Sequence, residues 1–240
     1  MSARVLVVQH EAICPPGRLR QWLAAAGVEV EVIHPYAGES VPERLGHDGL
    51  VVLGGTMGAD DDDQHPWLGP TKRLLAAAVR AAAPTLGVCL GHQLLAVACG
   101  GRVRANPRGP TIGLRRVDLA VGAATGGAGD PLLGALPAGA SAIHWNDDVV
   151  TDPPPRAVVV ATTTDGSPQV IRLGMRAWGV QFHPEADVGI ATVWADRTVA
   201  AGELSQADAD ARLAEIVQAD AALVTTWRPL AERFAGLLLS

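Results

Sequence analysis

Three residues of this sequence could together supply a nucleophile, a base and an orienting acid. Cys89 lies in GVCLGHQ, residues 87–93, with a glycine two positions away on each side. An apolar run precedes it and an Ala/Leu-rich run follows, so the pattern predicts a strand that delivers a thiol into a tight turn opening a helix. A helix N-terminus and a nearby imidazolium both favour thiolate. The flanking glycines fit a turn that needs unusual conformations and a close backbone approach that a Cβ would obstruct. The competing reading of any cysteine in such a setting is a buried structural thiol, and this reading is adopted for Cys14 and Cys99, which lack the glycine spacing.

A nucleophilic thiol needs a base, and AWGVQFHPEAD (177–187) offers one. His183 follows an apolar run at once, Pro184 stiffens the turn, and Glu185 is placed to orient the imidazole as the third member of a triad. His10, His34, His47 and His65 have no such accompaniment and read as solvated or hydrogen-bonded structural residues.

The elements that must bring these groups together are legible in the first half. RVLVV (4–8), a helical stretch near 16–26, VEVEVI (28–33), GLVVLGG (49–55), a helical TKRLLAAAVRAAA (71–83) and TLGVC (85–89) alternate strand-like with helix-like character. Such alternation predicts an α/β fold with a mostly parallel central sheet and helices on both faces, its ligands at the C-terminal ends of the strands. From about 102 to 182 the runs TIGLRRVDLAV, AVVVATTT, PQVIRL and AWGVQF predict a more antiparallel extension joined to the same sheet. The chain beyond 187 is helical by composition; Ser205 suits a cap and Pro229 is expected to kink or divide the helix. No linker separates two domains, and the expected organisation is a domain over 1–190 with a helical extension over 191–240 packed on it.

Composition narrows the function. A formal net charge of -6 with 19 Lys+Arg leaves no basic stripe for nucleic acid. Ala81 to Gly101 carries no formal charge, but Pro84 and several glycines interrupt it, which suits a strand, turn and helix rather than a membrane span. Three cysteines without a paired framework, and an N-terminus that enters directly on a strand-like run, make a reducing cytoplasm the expected compartment.

With GVCLGHQ, VQFHPE and VVLGGTMG in place, the sequence resembles the class I glutamine amidotransferases, over roughly residues 1–190. The likeness is strongest to stand-alone proteins similar to the amidotransferase domain of GMP synthetase. It implies a flavodoxin-like sheet of the type found in that family, no cofactor and no metal. It also implies glutamine or another γ-glutamyl small molecule as ligand and, as a possible partner, a separate ammonia-accepting synthetase chain. Carried over residue by residue, Cys89 would attack the glutamine amide carbon, His183 would move the protons and Glu185 would hold the imidazole, by way of a γ-glutamyl thioester. The backbone N–H groups of Gly55 and Leu90 would bind the oxyanion, and Gln93 would contact the substrate; a helix-surface amide is the alternative for Gln93. Where relatives read His-Trp-His-Gly-Asp, this chain has His144-Trp145-Asn146-Asp147-Asp148. Asn146 and Asp147 thereby become candidate substrate contacts, and Asp147 adds bulk and negative charge where a glycine usually stands.

Three alternatives follow from the same residues. A γ-glutamyl peptidase or hydrolase would use the same thiol chemistry on another amide. An α/β-hydrolase with a cysteine nucleophile would take its acid from Asp147, Asp152 or Asp165. A non-catalytic binding protein would keep the fold alone. The run Asp60–Asp63 reads as a solvated acidic loop near the pocket mouth, since adjacent carboxylates diverge where a metal loop spaces its ligands. Trp67 is expected to anchor that loop, and the glycine-rich run from 122 to 129 reads as a flexible turn.

Overall fold

The computed structural model describes residues 2–119, 129–134, 136–137, 139–164 and 166–240; all but the last residue of the glycine-rich turn expected at 122–129, and Asp165, fall outside them. Its first half alternates as expected, in the order β1 (Arg4–Val8), α1 (Gly17–Ala25), β2 (Glu29–Ile33), β3 (Gly49–Val52), α2 (Leu68–Arg80), β4 (Thr85–Val88) and α3 (Leu90–Ala98). Among the described residues the strands β5 (Arg102–Ala105), β6 (Thr111–Arg116), β7 (Asp118–Leu119), β8 (Ser141–Asn146), β9 (Asp148–Asp152), β10 (Val158–Thr162), β11 (Pro168–Leu173) and β12 (Ala177–Val180) follow. The helices α4 (Val188–Ala200) and α5 (Gln206–Leu238) come last.

The central sheet has the order β2-β1-β3-β4-β12-β11-β10-β7. Its pairings from β2 to β12 are parallel, and those from β12 to β7 are antiparallel. The strands alternate between two cores. Val5 and Val7 of β1 face the side that also holds Leu19, Trp194 and Phe234 of α1, α4 and α5, while Leu6 and Val8 face Leu74 and Leu94 of α2 and α3. A strand covered on both faces needs apolar residues at every position, which is why β1, β3 and β4 read as continuous apolar runs.

The extension differs from the expectation in one respect. Among the described strands, β7, β10 and β11 join the central sheet beside β12, whereas β5 pairs with β9, and β6 with β8, as two separate ribbons. The first ribbon lies against α3 and the second against α5. Each hydrogen-bonds its own edge instead of continuing the sheet, so the chain passes from one ribbon to the other at Asp147, between the end of β8 and the start of β9.

Ser205 caps α5 as expected, its Oγ accepting the Asp208 N–H at 3.1 Å. Pro229 does not divide the helix, which runs unbroken from Gln206 to Leu238. A proline in a helix interior costs about 3 kcal/mol, and the burial of Trp227, Leu230, Ala231 and Phe234 around it offsets that cost.

Beneath the antiparallel half lies a buried ion pair. Arg172 Nε stands 2.9 Å from Asp130 Oδ2. The same carboxylate accepts the Trp178 indole N–H at 3.1 Å and the N–H groups of Leu132 and Leu133 at 2.9 and 3.0 Å. Asp130→Ala is expected to lower stability by about 3–5 kcal/mol, because it removes the carboxylate that faces a buried guanidinium. The denaturant midpoint of the variant against the parent chain measures this.

Candidate active site

The loops at the C-terminal ends of β1, β3, β4 and β12 converge on one pocket of about 540 Å³. The strand order reverses between β1 and β3, where open α/β sheets leave a crevice for ligands. Cys89 and His183 both line this pocket. A Cβ built on Gly54 would stand 3.1 Å from His183 Cε1 and 3.5 Å from Cys89 Cβ, so the two side chains flank the same point.

Cys89 is the residue immediately before α3, at φ 51° and ψ -107°. A side chain in that region costs about 1–3 kcal/mol of backbone strain. The backbone on either side clamps it: Cys89 N–H donates to Val180 O on β12 at 2.8 Å, and its carbonyl accepts Gln93 N–H at 3.1 Å. The flanking glycines do not carry the unusual conformation, since neither is among the positive-φ residues. Their role is close approach. A Cβ at Gly91 would lie 2.0 Å from Val52 O, and one at Gly87 would lie 2.4 Å from Gly91 O. Helix α3 therefore starts against the end of β3, with the strain concentrated on the cysteine.

His183 Nδ1 is 2.7 Å from Glu185 Oε1, and both side chains are buried. An ionised carboxylate only accepts, so Nδ1 is the donor and Nε2 is the nitrogen left to act; it has no hydrogen-bond partner among the described residues. Burial pulls the His183 pKa down, but the Glu185 carboxylate and the Cys89 side chain outweigh it and raise the pKa to about 10. The Trp194 ring lies 4.4 Å from the imidazole between centroids, which favours the cationic form. Glu185 is held from behind, because its carbonyl accepts Arg18 N–H at the start of α1 at 2.9 Å. Gly17, at φ 44°, permits this contact, since a Cβ there would meet Glu185 O at 2.3 Å.

Asp147 and Asp152 make no hydrogen bond to His183, so the acid beside the imidazole is the one that follows it in sequence. The N–H groups of Gly55 and Leu90 donate to no described residue; Gly55 lines the pocket and Leu90 directly follows Cys89. Thr56 next to Gly55 is tied down, its N–H and Oγ donating to the Glu11 carboxylate at 3.2 and 2.7 Å. Gln93 is buried rather than on a helix surface, and its amide donates to Asp148 O at 2.9 Å. Asn146 donates to the same carbonyl at 3.0 Å, leaving its own Oδ1 buried without a partner among the described residues. Asp147 is exposed and lines the pocket.

Sequence reasoning missed Gln181 and the place of Cys14 in the pocket. Gln181 donates to Cys89 Sγ at 3.7 Å; its place directly after the apolar run AWGV and two residues before His183 was the available signal. Cys14 is buried as expected yet lines the pocket, and burial, followed by the negative charges of Cys89, Glu11 and Glu185, pushes its thiol far up. His10 is also buried and accepts the Trp67 indole N–H at 3.1 Å, the anchor expected of Trp67. Burial, followed by His65, lowers its pKa to about 3, so it is neutral. None of the four carboxylates of the acidic run is buried, and Asp61 lines the pocket; Asp61 accepts Gly58 N–H at 2.6 Å, and Asp62 pairs with Lys72 at 2.5 Å. Among the described residues no three His, Cys, Asp or Glu side chains are grouped to hold a metal ion, and no helix is long and apolar enough to cross a membrane.

Comparison with known proteins agrees with this fold. The family model described as glutamine amidotransferase class-I matches residues 17–193. The chain is 29% identical over 192 residues to the glutamine amidotransferase-like protein YfeJ of Salmonella typhimurium, covering 77% of each chain. It is 34% identical over 146 residues to a glutamine-hydrolyzing GMP synthase subunit of Halobacterium salinarum, covering 60% of this chain and 69% of that one. The crystal structure of a glutamine amidotransferase from Thermotoga maritima superposes with a TM-score of 0.85 at 25% identity, over 98% of this chain and 99% of the other.

Proposed function

The chain belongs to the class-I glutamine amidotransferase family, and from that premise we propose that it cleaves the side-chain amide of glutamine through a γ-glutamyl thioester on Cys89. The observation that carries this reading is the buried Glu185–His183 pair whose free nitrogen shares a pocket with a strained cysteine.

In this mechanism the Cys89 sulfur attacks the amide carbon as thiolate. The thiol proton resides on His183, which passes it to the departing nitrogen; ammonia leaves and the acyl group stays on sulfur. Water, deprotonated by the same imidazole, then releases glutamate and restores the thiol. Each tetrahedral intermediate places negative charge on the former carbonyl oxygen, and the N–H groups of Gly55 and Leu90 are assigned to it. Two features support that assignment: both donors are unspent among the described residues, and Leu90 opens a helix whose N-terminus carries partial positive charge. The Glu11–Thr56 clasp supports the loop that presents Gly55. Gln93, Asn146 and Asp147 are assigned to substrate binding, because all three line the same pocket. One of the relatives is named as one component of a synthase, which supports transfer of the ammonia to a separate synthetase chain.

Exposure to a diazo-ketone analogue of glutamine tests the proposal. The expected result is one covalent adduct on Cys89, together with ammonia release from glutamine by the untreated protein. A folded protein with its thiol reduced, neither labelled nor active, would leave only a binding role.

A further inference from the structure

The pocket carries more negative charge than glutamine can use. Asp61, Asp147, Asp148 and Glu203 line it, against one lining guanidinium, that of Arg197, which makes no ion pair among the described residues. Glutamine brings one ammonium and one carboxylate; with Arg197 available for the carboxylate, a single ammonium leaves most of the acidic side chains uncompensated. Their crowding is felt within the protein, since burial and the charges of Asp147, Asp61 and Asp60 hold the Asp148 carboxyl above its usual range. The cluster is not arranged for a metal ion. Spread acidic groups of this kind suit an extended organic cation. The buried Asn146 Oδ1 on the same wall is an acceptor with no donor among the described residues, and an N–H from a ligand would satisfy it. The volume of about 540 Å³ lies within the roughly 300–1,000 Å³ typical of pockets for ligands larger than one amino acid.

We propose that the preferred substrate is a γ-glutamyl amide whose amine portion bears a further positive charge, with the rim carboxylates of Asp147, Asp148 and Asp61 receiving that charge and Asn146 accepting an N–H from the substrate. The inference rests on the thiol chemistry proposed above and changes only the leaving group. The sulfur–carbon bond forms to give the tetrahedral intermediate; as it collapses the carbon–nitrogen bond breaks, the His183 proton goes to the amine nitrogen, and a cationic amine leaves in place of ammonia. Water then yields glutamate.

The test compares kcat/KM for γ-glutamyl-1,4-diaminobutane and for its neutral counterpart γ-glutamyl-n-butylamine, with glutamine as the control, in the full chain. At low salt the charged amide is expected to be preferred by about tenfold or more, and the preference should shrink as ionic strength rises, since rim charges are screened. The double variant D147N/D148N should bring the ratio to within about twofold of unity. Equal rates for the two amides in the parent chain, or a preference unmoved by both salt and the double variant, would overturn the inference even if glutamine is cleaved. Failure to cleave any of the three, with Cys89 reduced, would instead overturn the thiol chemistry itself.

Discussion

Replacing Cys89 with alanine is expected to reduce amide hydrolysis by about a millionfold, the scale seen when a covalent nucleophile is removed from a preorganised site. No other group can substitute for the sulfur. Cys14 shares the pocket, but burial keeps its thiol protonated, and a neutral thiol is a poor nucleophile. The variant should fold, because the backbone contacts at residue 89 run through its N–H and carbonyl and alanine retains both. Its melting temperature should therefore stay near that of the parent chain while ammonia release falls to background. Activity within a hundredfold of the parent, with the fold intact, would show that residue 89 is not the nucleophile.

Glu185→Gln is expected to lower kcat by about 10⁴ with little change in KM. The amide can turn its N–H toward the ring, and a neutral partner neither fixes the Nδ1–H tautomer nor stabilises the imidazolium that forms in each half-reaction. Stability should respond to pH in a way that a merely structural role would not produce. His183 has a folded pKa of about 10 against an ordinary 6.5, so the folded state holds a proton that the unfolded chain releases. The stabilisation from the imidazole is fully present below pH 6.5 and is lost as pH rises through about 10. In the variant the carboxylate is gone and only the Cys89 side chain still opposes burial, so this window narrows. The stability gap between parent and variant should thus be widest near pH 6 and narrow by a few kcal/mol toward pH 10, on the order implied by 1.36 kcal/mol per pKa unit. A gap independent of pH, with kcat within tenfold, would remove Glu185 from the role proposed for it.

Much of the fold was legible in the residues because its rules are local. Continuous apolar runs at 4–8, 49–53 and 85–88 describe strands covered on both faces, and β1, β3 and β4 form there. Ser205 marked a helix start through the hydrogen bond its own side chain makes. Cys89 was recognisable from its place between a strand and a helix, and Glu185 lies within two residues of the ring it contacts. Where a local signal left more than one outcome open, a distant partner decided. The packing of Trp227 and Phe234 carries α5 through Pro229 without dividing it, and close approach to the backbone of β3, rather than an unusual φ, accounts for Gly91.

Residue order alone was enough to locate the strands of the parallel half, to pick out side chains with the chemistry of nucleophile, base and acid, and to put Cys89 and His183 at strand ends. It took the packed chain to set β12 beside β4 and so bring His183 to Cys89, 94 positions away in sequence. Packing likewise made positions 61, 147, 197 and 203 border one pocket. The physical reason is that side-chain alternation specifies faces, whereas the choice of neighbouring strand comes from many small apolar contacts that one valine makes much as another does. A field of charge at a pocket mouth exists only once segments far apart in the chain have been packed against each other.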